Sequence, residues 1–322
     1  MFNGFSNSVR GASHEVKNLV CQDSSAHKVH ENYAICVVAD GHGSKKHFRS
    51  NIGSKCAVEA TVETIERFYE NIDEIEANLP TNSKLIIRNI EKQIIANWNA
   101  KVLEHLLHNP ITDEEKAPFT EPGEFDKIPP ESYYGTTLIA AVIGRDYTFG
   151  LQIGDGSLVA IFDDGWTIMP MDYEESNPAN ITSSMCNSNA ASMFDSFYNK
   201  NKVPLALFAS TDGLYTSFGS DVDFLDYHTI ICSQLTDLST FEPSVVKNLE
   251  KRSHFGTEDD ISLSCVFNAD LLNAKLQVIK DKVVENRELA KTRKAEMLMN
   301  MHKQKHQAAM RRAEELHKKT PQ

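Results

Sequence analysis

The run Ala39-Asp40-Gly41-His42-Gly43-Ser44 sets a carboxylate, a bare stretch of backbone and an imidazole in three consecutive positions, directly after the apolar run Tyr33 to Val38. Asp40 is a hard anionic donor, and Gly41 lets a main-chain carbonyl come close to a cation. His42 is the residue type that titrates near neutrality and can hand a proton to a departing oxygen. The chemistry implied is a metal site with a proton donor beside it. Ile35, Cys36, Val37 and Val38 are short, apolar and partly β-branched, so they read as a buried strand that releases Asp40 where the sheet meets solvent. Taken alone, the same residues also fit a strand end, a tight turn and an incidental histidine.

Other acidic residues stand in the same relation to short apolar runs. Gln22-Asp23 lies upstream of the strand, Asp155 sits in Gly154-Asp155-Gly156, Asp212 in Ser210-Thr211-Asp212-Gly213, and Asp259-Asp260 directly before the strand Ile261 to Phe267. A single Asp-Gly is usually a turn, because aspartate bonds its own backbone and glycine accepts positive φ. Repeated at successive strand ends, the pattern fits a hard divalent cation, since Mg²⁺ or Mn²⁺ takes oxygen ligands and keeps several waters.

In their order along the chain these blocks resemble the signature of the metal-dependent serine/threonine protein phosphatases of the protein phosphatase 2C type, in their compact bacterial form. The blocks are Gln22-Asp23, Asp40-Gly41-His42-Gly43, Gly135-Thr136-Thr137, Gly154-Asp155-Gly156, Asp212-Gly213 and Gly256-Thr257-Glu258-Asp259-Asp260. The resemblance implies that Asp40 bridges two ions, that the Gly41 carbonyl serves one of them, that Asp212 and Asp259 serve the other, and that Asp23 acts close by through water. Asp155 matches a position that helps to hold a third, looser ion in some members. The aspartate expected four residues beyond Asp212 is Thr216 here, which leaves a third ion without one of its usual ligands. Asp260 replaces the asparagine common after the last metal aspartate, and register with Gly256 assigns the metal to Asp259. Gln22 stands where many members have glutamate. The arginine that members use to grip phosphate is Asn18 here, so Arg10, Lys17 and His14 are the cationic candidates nearby.

The implied activity is hydrolysis of phosphoserine and phosphothreonine in proteins by a metal-activated water, with His42 as general acid for the poor alkoxide leaving group. Two alternatives remain at this level: a catalytically weak member that binds phosphoproteins as a scaffold, and a phosphatase of small phosphorylated metabolites.

The rest of the chain must position these residues. Its 322 residues suffice for one large domain and an appendage, and no apolar stretch approaches the length of a membrane span. The amino terminus lacks an export signal, and the six cysteines are scattered without a Cys-x-x-Cys pair, so a reduced, cytoplasmic protein is expected. Residues 271–322 carry 13 Lys and Arg against 6 Asp and Glu, a net of +7, which leaves residues 1–270 at −19 of the total −12. A body this acidic argues against nucleic-acid binding.

Helical spacing of apolar residues predicts helices over 47–70 and 82–108, a proline-rich loop over 109–131, and strands over 137–143, 148–153, 158–162, 204–209 and 261–267. Short turns between the strands predict mainly antiparallel sheets covered by helices, an α+β architecture. The resemblance narrows this to a two-sheet β-sandwich flanked by α-helices, with a C-terminal helical extension. Asp172 to Lys202, rich in Asn and Ser, reads as a loop, and the resemblance implies a flap beside the site there.

The expected division is a catalytic domain over 1–268 and a basic helical tail over 269–322. From Leu271 there is no proline before Pro321 and no glycine, so one long helix is expected. Leu272, Leu276, Ile279 and Val283 form its apolar stripe, and the basic stretch beyond Lys291 would suit an acidic partner.

Overall fold

The computed structural model describes residues 1–171, 182–200 and 202–319. The chain begins with β1 (Phe2–Val9), α1 (Ala12–Val16), β2 (Ser24–Val29) and β3 (Tyr33–Ala39), followed by the two long helices α2 (Ser50–Phe68) and α3 (Ile72–His108) and the short α4 (Asp113–Lys116). A meander follows, β4 (Leu138–Gly144), β5 (Thr148–Ile153), β6 (Ser157–Ile161) and β7 (Thr167–Ile168), then β8 (Asp195–Asn199) and β9 (Ala206–Ser210). The chain closes with α5 (Asp212–Thr216), α6 (Asp221–Cys232), α7 (Leu238–Arg252), β10 (Ile261–Asn268) and α8 (Ala269–Lys319).

The strands form two five-stranded sheets, ordered β1-β10-β9-β6-β7 and β2-β3-β4-β5-β8, with every pairing antiparallel. Successive side chains of a strand face opposite ways. In β3, Ala34, Cys36 and Val38 point between the sheets with Ile139, Ala141, Leu207, Ala209 and Val266. Tyr33, Ile35 and Val37 point outward against α2 and α3, where Ile65, Ile90, Ile94 and Trp98 receive them. The second sheet repeats this: Leu263, Cys265 and Phe267 of β10 face outward onto Phe224, Ile231, Val245 and Leu249 of α6 and α7. Burial on both faces is why these strands read as continuous apolar runs. The sandwich with helical outer layers is therefore the architecture expected from the sequence.

Three boundaries differ from the sequence reading. The helix expected from Asn82 begins at Ile72 and carries Pro80, with a break at Asn82 (φ −127°, ψ 21°); proline lacks the N–H and crowds the preceding turn. Part of the stretch read as a loop over 172–202 is the edge strand β8, paired with β5; its residues 172–181 lie outside the described residues. β1 and β2, which apolar periodicity does not reveal, complete one edge of each sheet.

Helix α8 starts directly after β10 and buries Leu272, Ile279 and Val283. It runs back along α6, and at Arg293 the guanidinium reaches Asp226 at 3.3 Å and Asp223 at 3.6 Å, both in the first turns of α6. Among the described residues no helix is long and apolar enough to cross a membrane. All six cysteines are free thiols.

Candidate active site

Strand register brings the acidic residues to one edge of the sandwich. Ser24 pairs with Ala39, so Asp23 and Asp40 step off adjacent strands together. Ser210 of β9 pairs with Ser157 on one side and Leu263 on the other, which gathers the Asp155 turn, Asp212 and Asp259-Asp260 at the same end of the second sheet.

The loop carrying Asp40 is braced by the Gly135-Thr136-Thr137 segment. The Asp40 carbonyl accepts the Thr136 hydroxyl and the Thr137 N–H, each at 2.8 Å, while the Asp40 N–H donates to Thr137 Oγ1 at 3.0 Å. Gly41 has no room for a side chain: a Cβ would stand 2.6 Å from the Gln22 carbonyl oxygen and 2.8 Å from that of Ser50. Gln22 contributes through its backbone, accepting the Gly41 N–H at 3.2 Å and the Ser54 hydroxyl at 2.6 Å.

The charges of Asp40 and Asp212 act on one another. Burial, then the charges of Asp23 and Asp212, holds the Asp40 carboxyl well above the usual carboxylate range. Burial and the neighbouring Asp155 push Asp212 up to about 6. Asp23 is raised by burial and by Asp260, although the Thr211 hydroxyl donates to it at 2.7 Å. Asp155 is half-buried and accepts the Thr182 hydroxyl at 2.9 Å. No Lys, Arg or His among the described residues forms an ion pair with Asp23, Asp40, Asp155, Asp212 or Asp259.

The last acidic pair divides its work. Asp260 is buried and turned inward, accepting the N–H of Gly11 at 2.5 Å and of Gln22 at 2.6 Å, with His14 Nδ1 at 3.0 Å. Asp259 is exposed, and its charge acts on both Asp40 and Asp212. Thr216, in place of a further aspartate, bonds the Asp212 carbonyl at 3.0 Å and the Thr257 hydroxyl at 3.1 Å.

These donors fit a hard divalent cation. They are all oxygen, they crowd negative charge without a basic partner, and cations would relieve the repulsion that helps to hold the Asp23, Asp40 and Asp212 carboxyls above the usual range. Among the described residues no three His, Cys, Asp or Glu side chains form a ready-made cage. An ion here would take few carboxylates and complete its shell with the Gly41 carbonyl and water, the manner in which Mg²⁺ is usually held.

On the other flank, the His42 N–H donates to the Gly135 carbonyl at 3.1 Å. Its ring lies 4.9 Å, centroid to centroid, from that of His47, whose Nδ1–H bonds the Ser132 carbonyl. Burial, with His47 and Lys46 nearby, pushes His42 down to about 4. His47 escapes sequence reasoning because Lys45-Lys46-His47 looks like an ordinary solvated turn.

Of the three cations proposed for phosphate, His14 is buried against Asp260 and Arg10 donates to the His14 carbonyl at 2.9 Å, so both support the loop carrying Gln22. Lys17 is exposed.

Comparison with known proteins gives the family and the fold. A family model described as Protein phosphatase 2C matches residues 10–252. The S. agalactiae serine/threonine phosphatase has the same fold, with 18% identity, a TM-score of 0.52, and coverage of 83% of this chain and 99% of its own. So has PppA, a key regulatory component of T6SS in Pseudomonas aeruginosa, with 16% identity, a TM-score of 0.51, and coverage of 83% and 97%. No curated protein matches the chain.

Proposed function

We propose that this chain, which belongs to the protein phosphatase 2C family, hydrolyses phosphoserine and phosphothreonine monoesters in proteins with the help of two divalent cations, Mg²⁺ or Mn²⁺. The observation that carries the proposal is the strand register that brings Asp23, Asp40, Asp155, Asp212 and Asp259 to one end of the sandwich with no basic partner among the described residues. Carboxyls gathered in this way are destabilising unless cations or protons lie among them.

Asp40, the Gly41 carbonyl, Asp212 and Asp259 are the residues that would hold the ions. Asp23 and Asp155 complete the acidic rim, and Thr216 leaves a third ion with a weakened site. When bound, the cations acidify a water nucleophile at neutral pH and cancel charge on the phosphoryl oxygens. Thr136 and Thr137 hold Asp40 at fixed height, which keeps its carboxyl oriented through the reaction.

His42 is the proton donor to the seryl or threonyl oxygen as the P–O bond breaks. Its imidazole is neutral in the free site, since burial holds it near 4. A bound phosphoryl dianion supplies the opposing charge that lets it carry a proton. Lys17 remains the exposed candidate for phosphate near the amino terminus.

The catalytic unit is assigned to residues 1–268 and the tail to 269–322, with the first turns of the tail built into the body. Its basic distal part suits an acidic protein partner, and a reduced cytoplasmic setting suits the free cysteines. The deciding experiment is phosphate release from a phosphothreonine peptide and from p-nitrophenyl phosphate, with Mn²⁺ and with chelator. Metal-dependent release that is lost in Asp40→Asn supports the assignment, whereas chelator-resistant turnover, or none with folded wild type, overturns it.

A further inference from the structure

One short segment, residues 132–137, bonds His42, His47 and Asp40. The Gly135 carbonyl takes the His42 N–H at 3.1 Å. The Ser132 carbonyl takes His47 Nδ1–H. Thr136 and Thr137 take the backbone of Asp40. The segment thus carries the metal-binding loop and the histidine flank on one piece of backbone.

The two imidazoles close over Gly135. A Cβ on that residue would stand 2.4 Å from His47 Nδ1 and 3.0 Å from His42 Cδ2, so the glycine is needed to admit both rings. Its backbone (φ −51°, ψ 130°) is open to any residue, and the requirement is therefore steric rather than conformational. His47 is buried, at 6% exposure, while His42 is partly exposed. A buried ring tied to a carbonyl is a fixed wall, and the neighbouring ring, tilted 51° to it, is confined on that side.

We propose that His47 is a positioning residue: anchored on Ser132, it holds the His42 imidazole in the orientation that delivers a proton to the leaving oxygen. The inference rests on the reading of His42 as proton donor. It assigns His47 no contact with substrate and no metal.

The role predicts a pattern that general weakening of the fold does not produce. Misplacing a proton donor slows substrates that need the proton and spares those that do not. His47→Ala should therefore lower kcat on a phosphothreonine peptide by about tenfold or more and leave p-nitrophenyl phosphate within about threefold, with KM for Mn²⁺ unchanged. Gly135→Ala, which pushes the rings apart from the opposite side, should give the same split. If His47→Ala does not fold, His47→Gln, which keeps a donor for Ser132, is read by the same criteria.

A second readout needs no turnover. In metal-free protein with labelled histidines, the His42 ring resonances should broaden or shift in His47→Ala and return toward wild type in His47→Phe, which restores a ring at that place. Equal losses on both substrates, or His42 resonances indifferent to His47, overturn the proposal. If wild type hydrolyses neither substrate, the function assigned above fails, and the resonance experiment still decides whether His47 fixes His42.

Discussion

The Asp260 carboxylate accepts the backbone N–H of Gln22 at 2.6 Å, joining the two ends of the acidic cluster across 238 positions of chain. With Gly11 on its other oxygen and His14 beside it, Asp260 fastens the amino-terminal loop to the start of β10. Its neighbour Asp259 is exposed, with Oδ1 accepting the Asp260 N–H at 2.9 Å.

Asp259→Asn and Asp260→Asn should therefore fail differently. Asp259→Asn should abolish metal-dependent turnover with little change in melting temperature. Asp260→Asn turns an amide N–H toward one of two buried donors and should cost about 1–3 kcal/mol, read as a lower melting temperature, while retaining more turnover per folded molecule. The reverse order would exchange the two roles.

Removal of negative charge from the site should stabilise the metal-free protein. Asp212 has its folded value raised to about 6, above the unfolded value of 3.8. The folded state then binds the extra proton between those values, so this contribution to stability grows as pH falls through 6 and is absent above it. At pH 7.5 without metal, Asp212→Asn should melt higher than wild type, by an amount equivalent to about 1–3 kcal/mol. The advantage should shrink toward pH 4. Added Mn²⁺ should raise the melting temperature of wild type more than that of the variant, and equal shifts would remove Asp212 from the metal set.

His228 should act in the opposite sense. It is fully buried beside Phe208, Phe224 and Tyr227, with Nδ1–H bonded to the Phe224 carbonyl at 2.8 Å, and burial pushes it down to about 4. The unfolded chain binds the proton from about 6.5 downward and the folded chain only near 4, so stability is lost as pH falls across that window. The loss attributable to this group is about 2 kcal/mol at pH 5. Replacing it by phenylalanine should flatten the decline in stability between pH 7 and pH 5; an unchanged decline would mean that His228 is not its source.

Two truncations separate the parts of α8. Ending the chain after Arg293 keeps Leu272, Ile279 and Val283 buried and keeps the contacts to Asp223 and Asp226. Melting temperature and hydrolysis of p-nitrophenyl phosphate should then stay close to wild type. Ending it at Asn268 exposes the α6 surface and forfeits those buried side chains, each contributing about 1.5–3 kcal/mol, so the protein should unfold or melt far lower. Loss of small-substrate turnover when the chain ends after Arg293 would place the distal helix inside the catalytic unit.

What could be read from the sequence followed burial. β3 and β4 were legible because both of their faces are apolar and covered, and the acidic residues stood out because each sits where such a run ends. β1 and β2 were not: Phe2, Phe5 and Val9 of β1 are buried, but polar pairs stand among them and break the pattern. Ser6 bonds His27 at 3.0 Å, Ser8 bonds Ser25 at 2.9 Å and Ser262 at 2.6 Å, and the Ser264 hydroxyl donates to Ala26 at 2.7 Å. Satisfied polar pairs of this kind leave no hydrophobic period. His47 stayed hidden for another reason: its partner Ser132 lies 85 positions away.

α8 leaves the end of β10 and has come back to the first turns of α6 by Arg293. From Ala269 to Arg293 the helix climbs about 36 Å, and from there to Lys319 about as far again, at 1.5 Å per residue. Any macromolecule that grips the distal half is tethered to the sandwich by the buried first turns of the same helix, and its local concentration there is set by the length of that helix instead of by its abundance.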